Sequence, residues 1–395
     1  QAKAQAFIDS ILSNHKDDYA TNLIAGVFYM NQGALEKALS LFSKAAIATN
    51  VEEERIGALF SKGQVEASLK RYTEANKTYR LLVNDFPTNE LGYEGLLAIT
   101  TLIDGAEKAV QVLEGLADQT VQTAPYIVLV KWVLKSGDIE AANAYFNKIK
   151  AMDSQDDSIE VLKFTIDFAS AYKAVSLNEF EEARKLIAPI LVSQPDNLKV
   201  LSFLVDLELR AGQLNEAKKV LSQLESLNPG LPSIPLFKGD LALKNDDAQA
   251  AKRHYTKAWI NYPSDLAGEK LFNILGFLNQ KPAQDEHLGR WVTAFPNSPL
   301  ALLFQAVKYQ QRGQNTKAIE GYTKVLKVAP NSVMALNNLG WLYFEKGNDK
   351  SLELLKKAAE LAPESAAVLD SYGWVLANRG QVAKGLSYIE KANKL

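Results

Sequence analysis

Few residues in this chain have the types and spacings that perform chemistry. Its 395 residues include no cysteine and only three histidines, His15, His254 and His287. None stands four residues from another, so no single helix can present a histidine pair to a metal. Thiolate metal sites, disulfides and thiol nucleophiles are excluded by composition. The sequence contains no phosphate-cradling glycine loop, serine elbow or HExxH helix. Carboxylates cluster at Glu52-Glu53-Glu54 and Asp156-Asp157, expected loops and helix starts, where acids complement the helix dipole. The reading is a non-enzyme with no metal or cofactor. What remains are groups suited to holding a ligand. Trp341 and Trp374 lie 33 residues apart, each preceded one helical turn earlier by a polar residue, Asn337 and Asp370. A flat indole flanked by amides and carboxylates suits an extended peptide or a sugar ring.

That spacing is part of a rhythm running through the chain. Gly26, Gly33, Ala38, Phe42 and Ala45 recur in type as Gly340, Gly347, Ser351, Leu355 and Ala358. A period of about 34 residues denotes a helix–turn–helix unit. Turn glycines are predicted at Gly33, Gly137, Gly212, Gly313, Gly347 and Gly380, where a left-handed backbone ends the first helix. Small residues at the crossing of the two helices are Ala38, Ala75, Ala109, Ala142, Ala183, Ala217, Ala251 and Ala318. Pro87, Pro195, Pro229, Pro263, Pro296, Pro330 and Pro363 stop the second helix. Eleven copies follow, beginning near residues 19, 56, 90, 123, 164, 198, 232, 266, 299, 333 and 366.

The departures from the rhythm predict weak points. The copy from 266 to 298 has Gln280 and Pro282 where the turn glycine belongs. An excess of seven residues at 157–163, and a milder one at Val51–Arg55, interrupt the spacing. Pro229, Gly230, Pro232 and Pro235 predict a kink. The expected organisation is an N-terminal section, 1–163, and a C-terminal section, 164–395, of one continuous solenoid. Residues 2–16 read as a lone second helix without its partner, and the first residue is Gln1, so the chain is expected to be a fragment of a longer array.

These residues resemble the tetratricopeptide repeat family, whose fold is all-α, a right-handed superhelix (an α-solenoid) of stacked helix–turn–helix repeats. The resemblance implies that helix A of each repeat lines a concave groove, with positions 2, 5, 9, 12 and 13 facing it. Early repeats then offer Leu23, Val27, Met30, Phe60, Gln64 and Glu94. The middle offers Lys131, Lys135, Phe168, Tyr172, Asp206, Arg210, Asp240 and Lys244. The last two offer Asn337, Asn338, Trp341, Phe344, Asp370, Trp374 and Asn378. Trp132, Trp259 and Trp291 occupy other slots and read as core. The two-carboxylate clamp of chaperone-tail binders is absent: around Asn338 the required cations and amide are replaced by Leu303, Val307, Ala367 and Ser371.

The final 60 residues carry a narrower resemblance. Asn337-Asn338-Leu339-Gly340-Trp341, Leu369-Asp370-Ser371-Tyr372-Gly373-Trp374 and the stretch from Lys384-Gly385-Leu386 to Lys391-Ala392 look like the ending of tetratricopeptide-repeat lipoproteins from bacterial exopolysaccharide and PEP-CTERM protein-sorting loci. That resemblance implies a periplasmic, outer-membrane-anchored scaffold in polysaccharide export or surface-protein sorting, with envelope proteins or peptides in the groove. The family's lipid-modified cysteine would precede Gln1. The alternatives are a carbohydrate-binding guide for exported polysaccharide and a cytoplasmic assembly or regulatory adaptor. A formal charge of −2 argues against nucleic-acid binding, which needs a basic surface.

Overall fold

The computed structural model describes residues 2–120, 122–152 and 158–395. Within them every regular element is an α-helix and none is a strand. The chain divides into two compact units, Gln1–Ser193 and Gln194–Leu395.

The first unit opens with α1 (Ala2–Asn14), then the hairpins α2–α3 (Tyr19–Asn31, Leu35–Ile47) and α4–α5 (Glu52–Ser68, Tyr72–Asp85). It continues with α6–α7 (Glu90–Asp104, Ala106–Thr120), α8–α9 (Ala124–Lys135, Ile139–Ala151) and α10–α11 (Ser158–Ser176, Phe180–Ser193). The second unit holds α12–α13 (Leu198–Arg210, Leu214–Leu227), α14–α15 (Ser233–Lys244, Ala248–Asn261) and α16–α17 (Asp265–Phe277, Lys281–Ala294). It ends with α18–α19 (Pro299–Gln311, Asn315–Val328), α20–α21 (Val333–Glu345, Lys350–Leu361) and α22–α23 (Ala366–Asn378, Val382–Lys394). The described residues thus contain the eleven expected helical hairpins.

Local chemistry accounts for the boundaries. Asp18, Asn89, Asp138, Asn197, Asp247, Ser264 and Ser298 each accept a hydrogen bond from a free amide in the first turn of the following helix. All six expected turn glycines have positive φ, between 67° and 84°. The eight small crossing residues are all fully buried, which lets the two helix backbones of each hairpin approach closely. Each closing proline follows its helix by one or two residues.

Several expectations need correction. Where a turn lacks glycine, Lys70, Asn178, Asp246 or Asn279 adopts the left-handed conformation instead. Asn and Asp tolerate that region through local hydrogen bonds. In the 266–298 copy Asn279 therefore makes the turn. Gln280 precedes α17, and Pro282 lies in that helix's first turn, where no backbone donor is required. Glu52–Arg55 and residues 158–163 form the starts of longer first helices, α4 at 17 residues and α10 at 19. Residue 157 and the Asp156-Asp157 pair lie outside the described residues. Pro232 and Pro235 cap and enter the first turn of α14 rather than kinking it. Pro189 lies in the interior of α11.

The copy expected to be weak is densely packed. Gln284 fills its small-residue slot, donating from Nε2 to the Phe272 carbonyl at 3.0 Å and accepting from Lys308 at 2.7 Å. Trp291 is fully buried against Gly268, where a Cβ would come within 2.7 Å of the indole. His287 is buried beside it, with Nε2 2.8 Å from the Gly268 carbonyl. That contact requires Nε2–H. Burial is the main cause holding the imidazole's pKa below the ordinary 6.5, outweighing the carbonyl contact. The unfolded chain therefore takes up this proton first on acidification. The stability contributed by neutral His287 is complete above pH 6.5 and drains as pH falls through the lower folded value. His254, also lowered by burial, acts with the same sign. Urea melts are expected to show midpoints falling with acidification below pH 6.5, with a shallower slope in His287→Gln, whose amide can still donate to Gly268. An unchanged slope would contradict the assignment.

Candidate functional site

The first unit contains a groove of about 1060 Å³. Its walls come from first helices of successive hairpins: Met30 of α2, Phe60 and Gln64 of α4, Glu94 and Ala98 of α6, Lys131, Trp132 and Lys135 of α8, and Thr165 and Ala169 of α10. The helix period explains this alignment, because residues three and four apart share a face. Phe60–Gln64–Ser68 and Val128–Lys131–Trp132–Lys135 are such rows.

Beneath the groove a polar network fixes the wall. Glu66 is only 4% exposed. It accepts from Thr78 Oγ1 at 2.7 Å and pairs with Lys62 Nζ at 2.8 Å, so the buried carboxylate is compensated. Tyr79 sits beside this pair with its ring 5.9 Å from Phe60. Gly63 and Gly95, on the helices either side, leave room for the ring. A Cβ at Gly63 would lie 2.6 Å from it. Burial, then the Glu66 charge, pushes the Tyr79 hydroxyl up to about 12, so the groove wall is neutral there at any physiological pH. Lys131 pairs with Glu90. Lys135 and Glu94 have no ion-pair partner among the described residues and remain available to a ligand.

A second, more polar depression of about 450 Å³ lies in the second unit, lined by Asp206, Leu209, Arg210, Asp240, Leu243, Lys244 and Lys270. Arg210 Nε pairs with Asp206 at 2.8 Å and Lys270 Nζ with Asp240 at 2.6 Å. The Tyr255 hydroxyl also donates to Asp240, at 2.6 Å. Its pKa is driven well above the ordinary tyrosine value, first by burial and then by the Asp240 charge.

The C-terminal candidates line neither of those two depressions. Trp341 packs its ring 5.7 Å from Phe344 and donates Nε1–H to Glu345 at 2.9 Å. Trp374 is half exposed, its backbone carbonyl accepting from Asn378 at 2.9 Å. No ring contact joins the two indoles among the described residues. Asp370 is exposed. Asn338 donates to the Tyr322 hydroxyl at 3.0 Å, which in turn donates to Gln310. Asn337 reaches Asn338 at 3.4 Å, while its own Oδ1 is buried without a partner. In α10, Phe168 is 4% exposed, stacked on Phe164 and edge-on to Tyr172. Tyr172 is exposed and Phe168 supports it from behind. Trp132, assigned to the core by its slot, packs half-buried against the first unit's core and also lines its groove. Trp259 and Trp291 do pack in the core. The signal that finds Trp132 is its position one residue after Lys131, on the edge of the same helix face.

Among the described residues no group of three or more metal-ligating side chains could hold an ion, and no helix is long and apolar enough to cross a membrane.

Several solved structures are similar to this chain. Yeast Tom70 superposes with a TM-score of 0.52 at 13% identity, covering 99% of this chain and 87% of that one. The Cut9–Hcn1 hetero-tetramer of the APC/C gives 0.44 at 14% identity, covering 98% and 88%. MamA gives 0.34 at 21% identity over 40% of this chain and 92% of that one. No curated protein matches the sequence. The tetratricopeptide repeat family matches residues 251–394. Residues 251–394 are thus similar to tetratricopeptide repeats, and the described residues as a whole form helical hairpins of an all-α fold.

Proposed function

We propose that the protein is a non-catalytic scaffold that holds segments of partner proteins against the first helices of its repeats. The observation that carries this reading is the first-unit groove. It is an open trough of about 1060 Å³ with an aromatic and aliphatic floor, and Lys135 and Glu94 are free to fix a ligand's register. Apolar anchors supply affinity at such surfaces, and edge charges supply selectivity.

The place of action we propose is the bacterial envelope, as a periplasmic scaffold anchored to the outer membrane in exopolysaccharide export or PEP-CTERM surface-protein sorting. Support for this comes from the resemblance of the last 60 residues. A second reading, a guide for exported polysaccharide, is favoured by the half-exposed Trp374 ring and the Trp341–Phe344 pair. One experiment separates the readings. Wild type and Trp341→Ala/Trp374→Ala are used to retain material from native envelope extract, and eluates are analysed for protein and sugar. The scaffold reading expects envelope proteins in both eluates. Sugar retained by wild type and lost from the variant, without protein, supports the guide reading. Recovery of the native protein from cytosol, rather than with the outer membrane, would remove the envelope assignment.

A further inference from the structure

The overall charge of −2 conceals a division between the units. Residues 1–193 carry 19 lysines and arginines against 26 acids, a formal −7, and residues 194–395 carry 25 against 20, a formal +5. A difference of this kind sets which sign of partner each unit attracts. Within the second unit the depression between α12, α14 and α16 shows the excess locally. Arg210, Lys244 and Lys270 face two carboxylates, Asp206 and Asp240. Arg210 and Lys270 are held in place by those acids. Lys244 has no ion-pair partner among the described residues. Lys308 on α18 and Arg312 just after that helix share a single carboxylate, Asp285.

We infer that the second unit carries its own recognition site, for an acidic peptide segment in which carboxylates alternate with aliphatic residues. The inference rests on the scaffold reading and adds to it a second site and a partner chemistry. Lys244 supplies the unneutralised charge. Arg210 and Lys270, already oriented by their acids, offer remaining N–H donors at little entropic cost. Leu209 and Leu243 stand among these charges, and Leu243 is 41% exposed, so an aliphatic side chain has apolar surface to cover. A nucleic-acid strand fits less well. No aromatic ring lines the depression to stack a base.

The test titrates the whole chain into a short fluorescein-labelled peptide of glutamates and leucines, with the glutamine–leucine counterpart and labelled oligothymidylate as controls. Fluorescence anisotropy is read at low and at physiological salt. The glutamate peptide is expected to bind, more weakly at higher salt, with both controls at least about tenfold poorer. Lys244→Glu is expected to weaken the glutamate peptide by about tenfold or more, since it sets like charges together. Lys244 lies exposed at the end of α14, and unchanged circular dichroism would show the fold intact. Trp132→Ala, in the first-unit groove, is expected to leave this binding unchanged.

Absence of binding, or equal binding by Lys244→Glu, overturns the inference. Loss in Trp132→Ala alone moves the peptide to the first-unit groove, so that the scaffold reading stands and the second site falls. Preference for oligothymidylate makes the site a nucleic-acid one. Salt-sensitive self-association of the chain, with no peptide binding, makes the occupant a second copy. Each of these contradicts the inference.

Discussion

Replacing Trp291 with alanine is expected to destabilise the second unit by about 3–5 kcal/mol, the range for truncating a large buried aromatic. The indole is fully buried. It fills the space left by Gly268 and packs with ring centroids 6.3 Å from His287 and 5.7 Å from Phe304. Its Nε1–H donates to Asp265 at 2.7 Å, so truncation also leaves a carboxylate at the start of α16 short of a partner. Neighbouring hairpins share the cluster formed by Phe272, Leu288, Trp291 and Ala301. In a repeat array stability is a sum of unit and interface terms, and the loss should therefore spread to α14–α15 and α18–α19. Urea denaturation followed by circular dichroism should show part of the helical signal lost at lower denaturant in the variant. A change below about 1 kcal/mol, the ordinary effect of a point substitution, would show that this repeat is not a packing centre.

Trp132→Ala is expected to act in the opposite way, with little cost to folding and a large cost to binding. The side chain is half-buried in the wall of the first-unit groove, between Lys131 and the Lys135 edge. A tryptophan that anchors a partner is commonly worth about 2 kcal/mol or more, roughly a thirtyfold loss in affinity. The measurement is calorimetric titration of an envelope protein retained by wild type, with urea melts run in parallel. Unchanged affinity would place the partner elsewhere on the array.

The turns, crossings and stops were legible because each rests on a single residue whose backbone or size suits the position. Glycine takes positive φ, alanine permits close approach, and proline ends a helix. The turns at Lys70, Asn178, Asp246 and Asn279 were hidden for a related reason. A left-handed position costs an ordinary residue only about 1–2 kcal/mol, which the packing of two helices offsets, so the motif persists without its marker. Gln284 obscured its slot in another way: Gly276 opposite is small enough to admit the amide, with a Cβ there coming within 2.5 Å of it. That compensation sits on α16, the partner helix of the same hairpin. The groove face was only partly legible. Positions 5, 9, 12 and 13 do supply Phe60, Gln64, Glu94, Lys131 and Lys135. The face is wider than those positions, however, and includes Trp132. At Phe168 the rings of Phe164 and Tyr172, one turn away on either side, bury a residue that its position alone would expose.

The central claim is that partner proteins lie against the first helices of the repeats. It is tested most directly by site-specific photo-crosslinking in native cells. A benzophenone amino acid replaces Phe60, in the groove wall, or Leu81, exposed on the second helix α5 of the same hairpin. The account predicts discrete protein adducts from position 60 that disappear with Trp132→Ala, and none from position 81. Adducts from position 81 alone, or none with protein from position 60, would contradict it.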